Sequence, residues 1–333
     1  MSADYEFIHD ADRCVACGLC VAFCPQYCLE VDDNGMPRAV DMEACVGCTT
    51  CSGQCPQRAI VIKSLPGAAA FDPYAGEERA EPISAEEQQH YAEAEKAIME
   101  ALDLRWHPVA VGLIDIDEPL PDVPMPTEKL RYCQSMNAAR RGASILMPPH
   151  CHACPDGTSI FGMTGVPDKL ATGEIYVLFH KVVDAEAAAK MVAERPTLPP
   201  NSKRATLVQP LGACTRHPEV IVFTGTPEQM MWLSMSMSYF DGHRHDFHAS
   251  GFNAQCVEAT LLPLMNDEPN ISFGCYGGRA SSDIGEDMMY MGVPANRLDT
   301  IVEGCQELAK RAIPQSRMKI YVPPHHVGAG PGR

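Results

Sequence analysis

Two stretches, RCVACGLCVAFCPQYCLEV at residues 13–31 and ACVGCTTCSGQCPQRAIVI at residues 44–62, are one pattern written twice. Cys14, Cys17, Cys20 and Cys24 superpose on Cys45, Cys48, Cys51 and Cys55, each pair 31 positions apart. An internal repeat is read before anything else because it dictates the fold of its segment. Both runs are C-x2-C-x2-C-x3-C-P, and both close on a short β-branched segment, at 29–31 and 60–62. The pattern predicts paired strands beneath two short helices, in a small module over residues 1–66.

A tight loop with this spacing presents three thiolates to three corners of a cuboidal cluster, and the fourth iron takes a cysteine from elsewhere. In the two-cluster arrangement the fourth cysteine of each run ligates the other cluster. Cys14, Cys17, Cys20 and Cys55 are thus expected to hold one [4Fe-4S] cluster, and Cys45, Cys48, Cys51 and Cys24 a second. Zinc bound by paired C-x2-4-C hooks leaves three close cysteines plus Cys-Pro, twice over, unexplained. Cys28 aligns with Ala59 and belongs to neither set; it reads as a buried small apolar residue. In every ligand position this segment resembles the bacterial-type two-cluster ferredoxin, and the resemblance implies one-electron transfer.

The rest of the composition narrows the function class. The chain has 333 residues with 46% hydrophobic content, enough for about two folded domains. Its 26 basic against 43 acidic residues leave a net charge of -17, which repels nucleic acid and anionic lipid headgroups. Neither a membrane-length apolar run nor a secretory leader is visible, so a cytoplasmic address is expected. Sixteen Cys in that reducing compartment point to metal ligation rather than disulfides. Residues 1–66 alone carry nine acidic and four basic side chains, a balance that a basic redox partner protein would complement.

Beyond the module, residues 67–83 read as a linker, rich in Gly and Pro, whose composition permits an ordered path over the surface. Ser84 and Glu87 stand at capping-box spacing before a helix over 85–103. Strands are expected at 109–114, 175–179, 206–208 and 220–223. Helices are expected at 134–141, 184–194, 227–239, 253–262, 282–290 and 295–311. The fold class is therefore α+β: a ferredoxin-like domain followed by a mixed α/β domain over 84–313, with an extended tail at 314–333.

Several fragments of the second domain together resemble one family of uncharacterised proteins, domain of unknown function 169, over about 108–300. They are Pro108-Val-Ala-Val-Gly-Leu113, Arg131-x-Cys133, Cys154-Pro155-x-Gly157, Phe223-x-Gly225-x-Pro227-Glu228-Gln229, Cys256-x-Glu258-Ala259, and Asn270-x-Ser272-x-Gly274-Cys275-x-Gly277-x-Arg279. Where that family usually reads Cys-Pro-Gly-Gly, this chain has Cys154-Pro155-Asp156-Gly157, preceded by His150, Cys151 and His152. The resemblance supplies candidate residues and no reaction.

Cys151 and Cys154 with two imidazoles offer half a metal shell or a redox dithiol, and they are the candidate catalytic residues. A third metal site would draw on Cys133, Cys151, His152, Cys154 and Cys275, with Cys133 and Cys256 also compatible with plain burial. His243, His245 and His248 read as a solvated loop rather than a site. The function expected is a redox enzyme, or a subunit of one, adapted to anaerobic chemistry. In it the ferredoxin module feeds electrons to a metal or small-molecule substrate site in the second domain. A cluster carrier, maturation factor or redox sensor is the alternative.

Overall fold

The computed structural model describes residues 4–318 except 25, 46, 48, 66–73, 75, 127, 128 and 179. In the first module, β1 (Tyr5–His9) and β4 (Ile60–Ser64) pair antiparallel, as do β2 (Leu29–Val31) and β3 (Pro37–Ala39). The strands that end the two repeats thus pair outward, with a neighbour each, and not with one another as expected. Two short helices, α1 (Leu19–Ala22) and α2 (Thr50–Gln54), pack together and carry the third cysteine of each run. The little core between them is mostly sulfur: Cys20, Cys24, Cys28 and Cys51 with Leu29 and Ile60. So small an apolar core would not hold a chain of this length folded by itself.

The linker residues that are described lie along the second domain. Ala80 donates its amide to Leu120, Tyr74 packs on the Ile114–Leu120–Leu146 cluster, and Arg204 pairs with Glu77. Then α3 (Ala85–Leu102) starts at the Ser84–Glu87 capping box. After it come β5 (Val109–Asp115), α4 (Tyr132–Ala139), β6 (Ile145–Met147), α5 (Pro155–Ile160), α6 (Asp168–Ala171), α7 (Glu174–Leu178), α8 (Ala185–Glu194), β7 (Lys203–Pro210) and β8 (Val220–Gly225). The remainder is α9 (Pro227–Met237), a π-helix (Ala254–Leu261), α10 (Leu262–Asn266), β9 (Asn270–Ser272), α11 (Tyr276–Ser281), β10 (Met289–Pro294), α12 (Leu298–Lys310) and α13 (Ala312–Arg317).

Among the described residues these strands form a six-stranded sheet in the order β6-β7-β5-β8-β10-β9, antiparallel at every ladder. Side chains alternate along its central strands. Ile221, Phe223, Met291 and Val293 face α3, α9 and α12, whereas Val109, Val111, Val220, Val222 and Tyr290 face α4, α5 and the π-helix. A strand buried on both faces reads as a continuous apolar run, as β8 does. Gly292 of β10 is required by the second layer: a Cβ there would lie 1.9 Å from the Ala259 carbonyl of the π-helix.

Three expectations are corrected. Residues 175–178 are helical (α7), because Ile175 and Tyr176 bury against Leu170, Ala188 and Val192 of the neighbouring short helices; residue 179 lies outside the described residues. A four-residue apolar run carries too little periodicity to separate strand from helix. Residues 282–290 are not a helix: α11 ends at Ser281, and Met289 and Tyr290 open β10 between β8 and β9. The tail is not extended throughout, since residues 314–317 belong to α13; residues 319–333 lie outside the described residues. No described helix is long and apolar enough to cross a membrane.

Candidate metal centres

The two cysteine runs wrap two cavities among the described residues. One, of about 320 Å³, is lined by Cys14, Cys17, Cys20 and Cys55 with Gly18, Pro37, Pro56 and Ile60. The other, of about 340 Å³, is lined by Cys24, Cys45 and Cys51 with Cys28, Leu29, Thr49 and Ile62. Cys48 lies outside the described residues. Each cavity therefore takes three consecutive cysteine positions from one run, as far as described, and the Cys-Pro cysteine from the other. Backbone amides point at the sulfurs: Ala16 N–H to Cys14 Sγ (3.4 Å), Cys28 N–H to Cys24 Sγ (3.2 Å) and Ala59 N–H to Cys55 Sγ (3.2 Å). Such donors suit charged thiolates, so the residues present fit iron–sulfur clusters.

Cys28 lines the second cavity, and desolvation together with the Cys24 and Cys45 sulfurs pushes its thiol well up. Its amide donates to the Cys24 sulfur at 3.2 Å.

In the second domain, four cysteines on four separate segments converge. Cys133 is in the first turn of α4, Cys154 caps α5, Cys256 is in the π-helix, and Cys275 caps α11 with its Sγ accepting from Gly278 N–H at 3.3 Å. Local bonds fix the segments. Leu130 bridges His152, with Leu130 N–H to the Cys151 carbonyl at 2.9 Å and Ala153 N–H to the Leu130 carbonyl at 2.8 Å, which sets the start of α4 beside the start of α5. The hydroxyl of Tyr132 meets Thr260 Oγ1 at 2.9 Å, tying α4 to the π-helix. Tyr176 donates to Asp156 at 2.9 Å and accepts from Asn253 Nδ2 at 3.5 Å, which ties α5 to the head of the π-helix. A Cβ placed on Gly278 would lie 3.6 Å from Cys275 Sγ, 3.7 Å from Gln255 Oε1 and 3.8 Å from Cys133 Cβ.

Neighbouring sulfurs act on Cys133 and Cys256. Desolvation, then Cys275 and Cys154, push the Cys133 thiol up to about 12. Desolvation, then Cys154, Cys133 and Cys275, push Cys256 well above the ordinary thiol value. Cys154 is pushed up to about 11 by desolvation and Asp156, against the pull of the Gly157 amide and Arg131. Lys181 reaches the same pocket, with its Nζ 4.9 Å from the centre of the Tyr276 ring and its charge felt by Cys275 and Cys154.

The grouping differs from the sequence expectation in three members. Cys256, which sequence reasoning left compatible with burial alone, is in it; the signal was there, since Cys256-x-Glu258 was one of the family-like fragments. Cys151 is buried in the 3-10 turn at 149–151, its amide donating to the Pro148 carbonyl. His152 is buried too, bonded through Nε2 to the Met147 carbonyl at 3.1 Å, with Nδ1 against Gly157. His150 faces Tyr74, ring to ring at 5.9 Å. Elsewhere, His243 and His245 surround Glu268, and Arg297 stands 3.9 Å from the same carboxylate. His248 instead binds Asn270.

The ferredoxin module meets the second domain at this thiol group. Thr50 Oγ1 donates to the Ala153 carbonyl at 2.9 Å, a Cβ on Gly53 would lie 3.8 Å from Arg131 Nη2, and Phe23 packs on the α6–α8 cluster. Thr50 precedes Cys51 and Phe23 precedes Cys24, so the cavity of Cys24, Cys45 and Cys51 lies nearer the seam.

Comparison with known proteins agrees with this division. A family model described as uncharacterised ArCR, domain of unknown function 169, matches residues 97–304, and one described as a 4Fe-4S dicluster domain matches residues 6–56. An uncharacterised protein of Methanocaldococcus jannaschii is 30% identical over 214 residues, which is 63% of this chain and 91% of that protein. A ferredoxin of Pyrobaculum islandicum is 49% identical over 39 residues, 11% of this chain and 36% of that protein.

Proposed function

Since the chain belongs to the uncharacterised ArCR family and carries a 4Fe-4S dicluster ferredoxin domain ahead of that family's region, we propose that it delivers electrons singly to a cysteine-lined site in the second domain. On this reading Cys14, Cys17, Cys20 and Cys55 hold the outer cluster, and Cys24, Cys45, Cys48 and Cys51 the inner one. Bound there, each cluster takes up and releases one electron.

The observation that supports transfer between the two domains is the Thr50–Ala153 hydrogen bond, one residue from Cys51 on one side and one residue from Cys154 on the other. Thr50 is buried, so water is kept out of that stretch of the seam. Phe23 supplies a second, apolar anchor beside Cys24. Covalent fusion of donor and acceptor sites replaces a bimolecular encounter by a fixed geometry. At the outer end Cys17 and Val15 are exposed, which suits a basic redox partner docking on the acidic module.

The test is anaerobic oxidation of a reduced viologen by the full chain, supplied with a low-molecular-mass metabolite fraction. The expected result is metabolite-dependent oxidation that is lost in Cys51→Ala. Absence of that dependence, with transfer of iron or sulfide to an apo-ferredoxin instead, would overturn the reading in favour of a carrier.

A further inference from the structure

We propose that Cys133, Cys154, Cys256 and Cys275 hold a third iron–sulfur cluster, of the four-iron type, in the second domain where the ferredoxin module docks. This rests on the electron-delivery reading only for its purpose; the site itself stands on four observations.

The first is convergence. The four cysteines come from segments up to 142 positions apart, 133 to 275, and the segments are tied together by the Leu130–His152 bridge and by the Tyr132–Thr260 and Asp156–Tyr176–Asn253 bonds. Cys214 and Cys305, by contrast, bury singly in the core on the other face of the sheet.

The second is spacing. A mononuclear zinc site with bonds near 2.3 Å holds its sulfurs about 3.8 Å apart. Among the described residues only His243, His245 and Glu268 bring three metal-type donor atoms within 4.8 Å of one another. The second-domain sulfurs are therefore spread more widely than zinc requires, as are those of Cys14, Cys17, Cys20 and Cys55. A cubane does not require three sulfurs that close, because each thiolate binds a different iron at a different corner.

The third is an orphan. Gln255 is 4% exposed, and its Oε1, directed to the same point as Cys275 Sγ, has no hydrogen-bond partner. A buried polar atom without a partner in a native protein calls for an explanation, and a bound group beside it is one. With its amide turned over, Gln255 donates to a cluster sulfide.

The fourth is charge. A four-iron cluster on four thiolates is a dianion when oxidised. Lys181 and Arg131 are the cations placed near it, and Gly278 N–H already points at one sulfur. Burying such a charge without them would be costly.

The experiment is iron, acid-labile sulfide and zinc quantitation on anaerobically prepared full chain, with low-temperature EPR during stepwise reduction. The expected result is about twelve iron and twelve sulfide per chain, three clusters of four. Cys256→Ala should fall to about eight with the ferredoxin signals intact, Cys133→Ala should do the same, and Cys305→Ala should stay at twelve. Eight iron in the unmodified chain overturns the proposal. So does one zinc per chain that is lost in Cys256→Ala. Twelve iron without metabolite-dependent viologen oxidation keeps the third cluster and removes the electron-delivery reading; eight iron with that turnover does the reverse.

Discussion

Thr50 of the ferredoxin module donates a 2.9 Å hydrogen bond to the carbonyl of Ala153, so the residue before Cys51 grips the residue before Cys154. Thr50→Val keeps the shape and removes the donor, leaving a partly buried carbonyl without that bond. The expected loss is about 1–2 kcal/mol at the seam. Hydrogen exchange should show it as roughly tenfold faster exchange of the α2 amides, with the β5 and β8 amides unchanged.

Crossed ligation makes a sharper claim about Cys24. Its sulfur lines the cavity of Cys45 and Cys51, not that of the three cysteines before it in its own run. Cys24→Ala should therefore remove about four iron while the cluster signal dependent on Cys14, Cys17 and Cys20 persists. Selective loss of that local signal would refute the crossing.

Oxygen should unmake the first module before the second. The module's core is mostly cysteine sulfur, and cluster binding supplies its folding free energy, whereas the second domain buries two apolar layers on a sheet. Limited proteolysis after exposure to air should cleave within residues 1–66 first and leave a fragment that retains α3 to α12. Digestion of both parts at one rate would contradict this.

Gly292→Ala should be among the most destabilising single-methyl substitutions available. Its Cβ would meet the Ala259 carbonyl at 1.9 Å, and neither the central strand β10 nor the π-helix can retreat. A loss of at least about 3 kcal/mol is expected. Thermal melting compared with Gly277→Ala, where the added methyl meets open space, checks it.

An acid-sensitive tie fastens the loop after β5. Arg216 bonds Glu118 at 3.0 and 3.2 Å and Glu219 at 2.7 Å, and holds the Glu118 carboxyl below the ordinary range. A lowered carboxylate contributes stability that is complete above its unfolded value, about pH 4.3, and is lost as pH falls through its folded value. Arg216→Met should remove that contribution, so the variant is less stable at pH 7 and its stability falls less steeply below pH 4.3. Denaturation followed from pH 7 to pH 3 tests the sign.

Much of the second domain was legible where local chemistry is strong. The Ser84–Glu87 box caps its helix as expected, because a cap involves residues only three apart. The short segments at 175–178 and 289–294 were not legible. The first is drawn into a helical cluster by Leu170 and Val192, and the second becomes a strand because β8 and β9 flank it. Both outcomes depend on partners distant in sequence.

The same division holds for the cysteines. Sequence by itself determined the ferredoxin module, since three thiols at i, i+3 and i+6 on one loop can reach a single cluster whatever the rest of the chain does. In the second domain Cys133, Cys154 and Cys275 were named from their fragments, whereas the membership of Cys256 was decided by tertiary structure. Cys133, Cys154, Cys256 and Cys275 each sit singly at a helix start, and only the order of the sheet and the packing of α4, α5, α11 and the π-helix on one face of it bring them together. That arrangement is a property of long-range packing, so spacing along the chain could not show that Cys256 belongs to the group.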